Sequence, residues 1–333
     1  MWFARSLRFY EGQILEPGGG SPNGTRRIVL LVHGYNNDKD EAEKSYRALM
    51  EKLPHGRASL ADQVWWFFWP SYVERLTGAA TDAPITVMSS ERGAESNAAL
   101  SMPTYAWQVL KAREVGRALG QYVRGLEHDE GVPTEVVFVA HSLGCRVVLE
   151  ALRELLDGSS EEDERARVPC MCLMAAAVPT FMIDEGERLE RAAALPQASY
   201  VLHSRSDVVL QWAFRGGQGA ASLLVTLGFT GALEDTERAD SEGVYPEAVG
   251  RNGRPRSVWL RRADTGLGHS GYWKHRSTAP TVLRAISGGS ISELPQSGAS
   301  DDVTWTLPVN PDVPDWKQRE MSVGVRWWRP TFG

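Results

Sequence analysis

The sequence predicts an α/β fold with a mostly parallel central sheet flanked by helices. Apolar runs rich in β-branched and aromatic residues alternate with helix-length segments along the 333 residues. These runs are continuous rather than alternating with polar residues, which is typical of parallel strands covered on both faces. With 42% hydrophobic and 23% charged residues, the chain has the composition of a globular protein with a sizeable core.

The strands are predicted in chain order from their apolar runs. An edge strand within 2–10 comes first, and a Gly-rich turn over 18–24 separates it from the buried strands. The buried strands are predicted at 28–33, 64–69, 135–140, 170–177 and 200–203, with a last strand at 257–261.

Helices are predicted where apolar residues recur at helical spacing. The first covers 40–53, and a long one with a single apolar stripe covers 104–126. A third covers 143–156 and ends at Asp157-Gly158, a usual C-terminal stop for a helix. The last predicted helix covers 278–286.

Two stretches interrupt the alternation, at about 71–103 and about 216–253. Insertions of this length in α/β enzymes either cover the site as lids and pocket walls or decorate the surface. We therefore expect residues 1–290 to form one domain that includes both insertions. The Pro- and Trp-rich tail at 291–333 is expected to pack on that domain.

The net charge and the cysteine content limit which binding partners and which cellular compartment are expected. A net charge of −6 and a pI near 5.7 argue against nucleic acid or an anionic membrane as the main partner. Cys145, Cys170 and Cys172 form no disulfide framework and are expected to be small buried residues, which fits a reducing compartment. Because neither a signal peptide nor a membrane-spanning stretch is visible, the expected location is cytoplasmic.

The serine motif Ala140-His141-Ser142-Leu143-Gly144 lies between a predicted strand and a predicted helix. This is the context of a nucleophile elbow, in which a tight turn exposes the serine hydroxyl. Strand and helix approach closely there, so the residues two positions either side must be small. Ala140 stands where the usual pattern has glycine and is still small enough.

A serine hydroxyl needs a base to take its proton, and the base needs a carboxylate to orient it. In this fold the three follow in the order Ser, Asp or Glu, His. Asp207, in the loop after the strand at 200–203, is favoured as the acid over Asp184. His269, between glycines after the last strand, is favoured as the base over His275.

Catalysis also needs donors for the oxyanion of the tetrahedral intermediate. One is predicted to be the backbone N–H of Leu143, at a helix N-terminus that favours negative charge. The other is predicted to be the N–H of Tyr35, with Gly34 and Asn36 as neighbours able to share the role. Cys145 lies three residues beyond the serine and is interpreted as a packing residue.

On these motifs the chain resembles the α/β-hydrolase superfamily, and most of all its HGYN-opening, poorly characterised esterase-like and lipase-like serine hydrolases. The resemblance covers about 28–286 and rests on His33-Gly34-Tyr35-Asn36-Asn37, Ala140-His141-Ser142-Leu143-Gly144, Asp207 and Gly268-His269. It implies an α/β-hydrolase fold and an ester-cleaving Ser-His-Asp site that uses no metal and no organic cofactor.

The expected function is therefore a serine hydrolase that cleaves small-molecule carboxylic esters through an acyl-enzyme. Lipase, thioesterase or acyltransferase activity with the same triad stays open, because a fold does not fix a function. A catalytically silent scaffold that binds a partner is a second class of hypothesis. A membrane-associated lipase would need an apolar lid, for which 223–229 is the candidate. Substrate choice and oligomeric state are left open.

Overall fold

The computed structural model describes residues 8–12, 26–35, 37, 39–52, 63–69, 71, 94–125, 134–158, 167–219, 247–251, 260–286 and 304–306. Eight strands in these ranges form one sheet: β1 Arg8–Gly12, β2 Arg26–Val32, β3 Gln63–Phe68, β4 Thr134–His141, β5 Cys170–Met174, β6 Ala198–His203, β7 Arg261–Asp264 and β8 Thr304–Thr306. Their order is β1-β3-β2-β4-β5-β6-β7-β8. β1 pairs antiparallel with β3, and every other pair is parallel, which confirms the predicted sheet.

Helices flank the sheet. They are α1 Lys39–Met50, α2 Ala94–Gly125, α3 Gly144–Asp157, α4 Glu190–Ala194, α5 over 208–219 and α6 Ala279–Ile286. The first turns of α5, Val209–Ala213, are π-helical. α2 packs closely on α3 at Gly120, where a Cβ would lie 2.6 Å from the carbonyl oxygen of Ala151. α1 lies beside the loop that precedes α6. The ring of Tyr46 on α1 meets that of Trp273 in this loop edge-on, with ring centroids 5.3 Å apart.

The core lies along the central strands. Every residue of β5 and β6 is buried, and in β4 only Glu135 is partly exposed. That carboxylate forms an ion pair with Arg27 on β2 at 2.6 Å. Continuous apolar strands of this kind are what a sheet covered on both faces requires.

Two of the inner strands begin or end several residues away from their predicted positions. β5 stops at Met174 rather than at residue 177, because Ala175 turns the backbone with a φ of 46°. The last parallel strand expected before the histidine covers Arg261–Asp264 rather than 257–261, and residues 252–259 lie outside the described ones. The charged β7 is accommodated because Arg262, although buried, donates from Nη2 to the carbonyl oxygen of Val249 at 3.4 Å.

The long helix was predicted to begin too late. α2 starts at Ala94 rather than at residue 104, so residues 94–103 of the first predicted insertion are helical and the helix passes through Pro103. Residues 216–219 of the second predicted insertion likewise belong to α5. Residues 72–93 and 220–246, with the candidate lid at 223–229, lie outside the described residues.

The C-terminal tail is described only at Thr304–Thr306, which pairs parallel with β7 as the last strand of the sheet. The rest of 291–333 lies outside the described residues. The division into a domain at 1–290 and a packed tail therefore stays a prediction.

Candidate active site

The turn after β4 holds Ser142 in an uncommon backbone conformation. Its φ is 55°, in the left-handed region that residues with a side chain seldom adopt. Three backbone hydrogen bonds hold it there: its N–H donates to the carbonyl oxygen of Met174 at 2.9 Å, and its own carbonyl oxygen accepts from the N–H groups of Cys145 and Ala177, both at 3.1 Å. Such strain persists only where the surroundings enforce it, and it is often found at functional sites.

Two glycines allow the serine turn and the loop after β2 to approach backbone to backbone. A Cβ at Gly34 would lie 2.7 Å from the Cβ of Ser142. A Cβ at Gly144 would lie 2.8 Å from the carbonyl oxygen of Val32 and would clash with that of His33. These distances explain why small residues are needed where the serine turn meets the loop after β2. Ala140, at the end of β4 in this region, is fully buried.

The side chains of Ser142, His269 and Asp207 lie in one hydrogen-bonded line. Nε2 of His269 is 2.8 Å from Oγ of Ser142, and Nδ1 of His269 is 2.8 Å from Oδ2 of Asp207. Asp207 is fully buried, and its Oδ1 accepts a second hydrogen bond from the N–H of Leu210 at 2.9 Å. If Nδ1–H donates to the carboxylate, Nε2 is left as the acceptor for the serine hydroxyl.

The two alternative residues lie elsewhere. Asp184 follows the short 3-10 turn Thr180–Ile183, and its N–H donates to the carbonyl oxygen of Phe181. His275 precedes another 3-10 turn, and its Nδ1 is 2.7 Å from the hydroxyl of Ser277. His269 bonds both Ser142 and Asp207, so the structure brings together the favoured residues.

His141, the neighbour of the serine, reaches the loop that carries His269. Its Nε2 lies 2.7 Å from the backbone carbonyl oxygen of His269, to which it donates, and the two ring centroids are 5.1 Å apart. Burial, together with the nearby His269, lowers the pKa of His141 to about 3, so the ring is neutral. This bond spans 128 residues and joins the serine motif to the loop that carries His269.

His33 and Trp69 fix the turn that carries Tyr35. The ring of His33 donates from Nδ1 to the carbonyl oxygen of Gly34 at 3.0 Å and accepts the N–H of Trp69 at Nε2, at 3.1 Å. The indole of Trp69 donates back to the carbonyl oxygen of His33 at 2.8 Å. The side chain of Asn37 closes the turn by donating to the carbonyl oxygen of Tyr35 at 3.1 Å. No local sequence pattern indicates this contribution of Trp69.

The two predicted oxyanion donors lie at the start of α3 and in the turn after β2. Leu143 is the N-cap residue of α3, and within the described part of the chain its N–H has no acceptor. A helix N-terminus with an open N–H favours a negatively charged oxygen. Tyr35 and Ser142 line one small pocket, whereas Asn36 is outside the described residues.

A small apolar pocket of about 50 Å³ adjoins the serine. Its walls come from the turn after β2, from α2, from the loop after β5 and above all from α5. The lining residues are Tyr35, Tyr105, Ser142, Ala177, Val209, Leu210, Ala213, Phe214 and His269.

The other candidate groups are structural. All three cysteines are free thiols and buried, and burial raises the pKa of Cys145 well above its ordinary value, so it is no reactive thiolate. Among the residues that the structure describes, no cluster of His, Cys, Asp or Glu has the arrangement of a metal site. None of the described helices is long and apolar enough to cross a membrane.

One family model matches the chain. It is described as an alpha/beta hydrolase of unknown function (DUF900) and matches residues 21–215. The matched segment contains Tyr35, Ser142 and Asp207, whereas His269 lies beyond its C-terminal end. Comparison with curated proteins finds no match.

Several solved structures are similar over most of the chain at low identity. TT1662 from Thermus thermophilus is 15% identical, with 84% of this chain and 96% of that chain covered and a TM-score of 0.35. The esterase Pf2001 of Pyrococcus furiosus is 13% identical, with 87% and 94% covered and a TM-score of 0.33. An esterase of Pyrobaculum calidifontis is 13% identical, with 86% of each chain covered and a TM-score of 0.35.

Proposed function

The chain belongs to this family of α/β hydrolases, and we propose that it is a serine hydrolase that cleaves small-molecule carboxylic esters through an acyl-enzyme. Family membership supports hydrolase activity in general. One observation carries the finer proposal: the line from Oγ of Ser142 through both ring nitrogens of His269 to Oδ2 of Asp207, with two gaps of 2.8 Å. A base within hydrogen-bond reach of a nucleophile, itself oriented by a carboxylate, is the arrangement that activates serine.

In the first step Oγ of Ser142 attacks the ester carbonyl carbon while Nε2 of His269 takes the hydroxyl proton. The carbonyl π electrons move to the oxygen, and the N–H groups of Leu143 and Tyr35 donate to the resulting oxyanion. The buried carboxylate of Asp207 holds the ring in the tautomer that leaves Nε2 free and stabilises the imidazolium that forms.

In the second step the oxyanion collapses, and His269 returns the proton to the departing alcohol. A water molecule then attacks the acyl-enzyme with His269 as its base, which releases the acid and restores Ser142. Each step moves one proton through the same imidazole, so the residues of this chain complete the cycle.

Replacing Ser142 tests the proposal most directly. Ser142→Ala should lower the hydrolysis of a p-nitrophenyl acyl ester about 10⁴-fold or more, because the nucleophile is lost. Ser206→Ala is a matched control, since its side chain is exposed in the loop before Asp207. A fluorophosphonate probe should label the parent and the control, but not Ser142→Ala. Nearly full activity in Ser142→Ala, or no labelling of the folded parent protein, would refute the assignment.

A further inference from the structure

The pocket beside Ser142 is apolar apart from the reacting groups. Ser142 and His269 line one part of it, and the remaining walls are aromatic and aliphatic side chains, chiefly Tyr35, Tyr105 and Phe214. Among the described residues that line it, none is an acid, a lysine or an arginine. The pocket is therefore suited to an uncharged, apolar group attached to the reacting carbon.

The aromatic wall is packed firmly. The ring of Tyr105 meets that of Tyr35 edge-on at 5.7 Å and that of Phe214 edge-on at 6.4 Å. On α5 a Cβ at position 217 would overlap the ring of Tyr105, so Gly217 lets this ring lie directly against the helix backbone. Because the ring already touches backbone, it has little room to retreat and enlarge the pocket.

The same carboxylate that orients His269 also anchors the helix that forms most of the wall. Oδ1 of Asp207 accepts the N–H of Leu210, whereas Oδ2 faces His269. Leu210 belongs to the π-helical part of α5, which presents Ala213 to the same pocket. The position of the wall is thus tied to the position of the base.

The volume sets the size of the group that fits. A cavity of roughly 150 Å³ lined by apolar side chains holds one benzene molecule. A pocket of about 50 Å³ is a third of that size and accommodates about two carbon atoms beyond the carbonyl carbon.

We propose that this pocket receives the acyl chain of the substrate and restricts it to short acyl groups, of about two or three carbons. The inference rests on the proposed function. The acyl chain, rather than the alcohol, is assigned to the pocket because the acyl group stays bound to Ser142 until water arrives. The alcohol must leave first, after taking its proton from His269, whose side chain is 16% exposed to solvent.

Variants that open and fill the pocket test the inference. We would measure kcat/KM for p-nitrophenyl acetate, butyrate, hexanoate and octanoate. In the parent protein, kcat/KM should fall about 10-fold or more at the first methylene that does not fit. Tyr105→Ala should raise the hexanoate-to-butyrate ratio about 10-fold, whereas Ala213→Leu should lower the butyrate-to-acetate ratio by a similar factor.

Two further variants control for indirect effects. Tyr105→Phe keeps the ring and should keep the parent's order of acyl preference. Trp212→Ala changes the opposite face of α5, where the indole is 60% exposed, and should leave the whole profile unchanged. If Tyr105→Ala does not fold, the filling variant Ala213→Leu carries the test alone.

The outcomes separate this inference from the proposed function. A flat acyl-chain profile in a parent protein that a fluorophosphonate labels at Ser142 would overturn the short-chain inference alone. The inference would also be overturned if Ala213→Leu left the acyl-chain profile of the p-nitrophenyl esters unchanged. The same holds if this variant altered the preference among acetate esters of different alcohols instead. Failure of Ser142 labelling would instead remove the proposed function on which the inference rests.

Discussion

Stability should fall as the pH drops below about 6.5 because His141 is buried in its neutral form. The ring is 6% exposed, and its burial, with the neighbouring His269, lowers the pKa from 6.5 to about 3. In the unfolded chain the same ring takes up a proton near pH 6.5. Between these two values the unfolded state binds more protons than the folded state, so the free energy of unfolding decreases as the pH falls.

The size of this effect follows from the shift in pKa. One pKa unit corresponds to about 1.4 kcal/mol, so a drop to about pH 5 should remove about 2 kcal/mol of stability through His141. The full loss, reached below the folded-state pKa of about 3, is about 5 kcal/mol. This contribution is complete above pH 6.5 and is lost progressively on the acid side.

Urea unfolding at about pH 8 and about pH 5 measures it. His141→Gln removes the titrating group while its amide can still donate toward the carbonyl oxygen of His269. Over this interval the parent protein should lose about 2 kcal/mol more than the variant does. His203, whose pKa burial lowers to about 4, titrates in both proteins and cancels in the difference. Equal losses in the two proteins would refute a buried neutral His141.

Two further predictions concern packing and buried charge. Gly144→Ala should abolish folding or activity because the added Cβ meets the backbone of the loop after β2. Gly186→Ala is the comparison, because a Cβ there has open space around it. With a φ of 79° at this position, the change should lower the free energy of unfolding by only about 1–2 kcal/mol. Similar effects of the two changes on thermal unfolding would contradict this packing. Glu150→Gln should cost about 3–5 kcal/mol because it leaves Arg146 and Arg188 buried without their carboxylate partner. Urea unfolding would measure this loss, and a cost below about 1 kcal/mol, as for an exposed pair, would show that the buried charges are compensated otherwise.

The three side chains of the proposed site could be predicted because each follows a parallel strand at the same edge of the sheet. In the register, His141 at the end of β4 stands beside Met174 of β5, which stands beside Leu202 of β6. Leu202 in turn stands beside Ala263 of β7. The loops after β4, β6 and β7 therefore open at the same edge of the sheet. The apolar runs of β4 and β6 and the order of the motifs along the chain contain that information.

Other features depend on contacts that no local pattern contains. The strand β7 reads Arg-Arg-Ala-Asp, so it contains no apolar run that could predict its position, and its buried Arg262 bonds to the carbonyl oxygen of Val249. The predicted helix begins at residue 104, directly after Pro103, yet α2 continues through this proline. The bond from His141 to the backbone of His269 depends on how two loops far apart in sequence meet above the sheet.

The double role of Asp207 changes how its variants should be interpreted. One oxygen faces His269 and the other accepts the N–H of Leu210, so the carboxylate both orients the proposed base and anchors the wall of the pocket. Asp207→Ala would remove both bonds at once, and a loss of activity would mix misorientation of His269 with displacement of α5. Asp207→Asn retains an oxygen that can accept from Leu210, so it isolates the effect on the base. Comparing the two variants therefore separates proton transfer from substrate fit, which the single alanine variant cannot do.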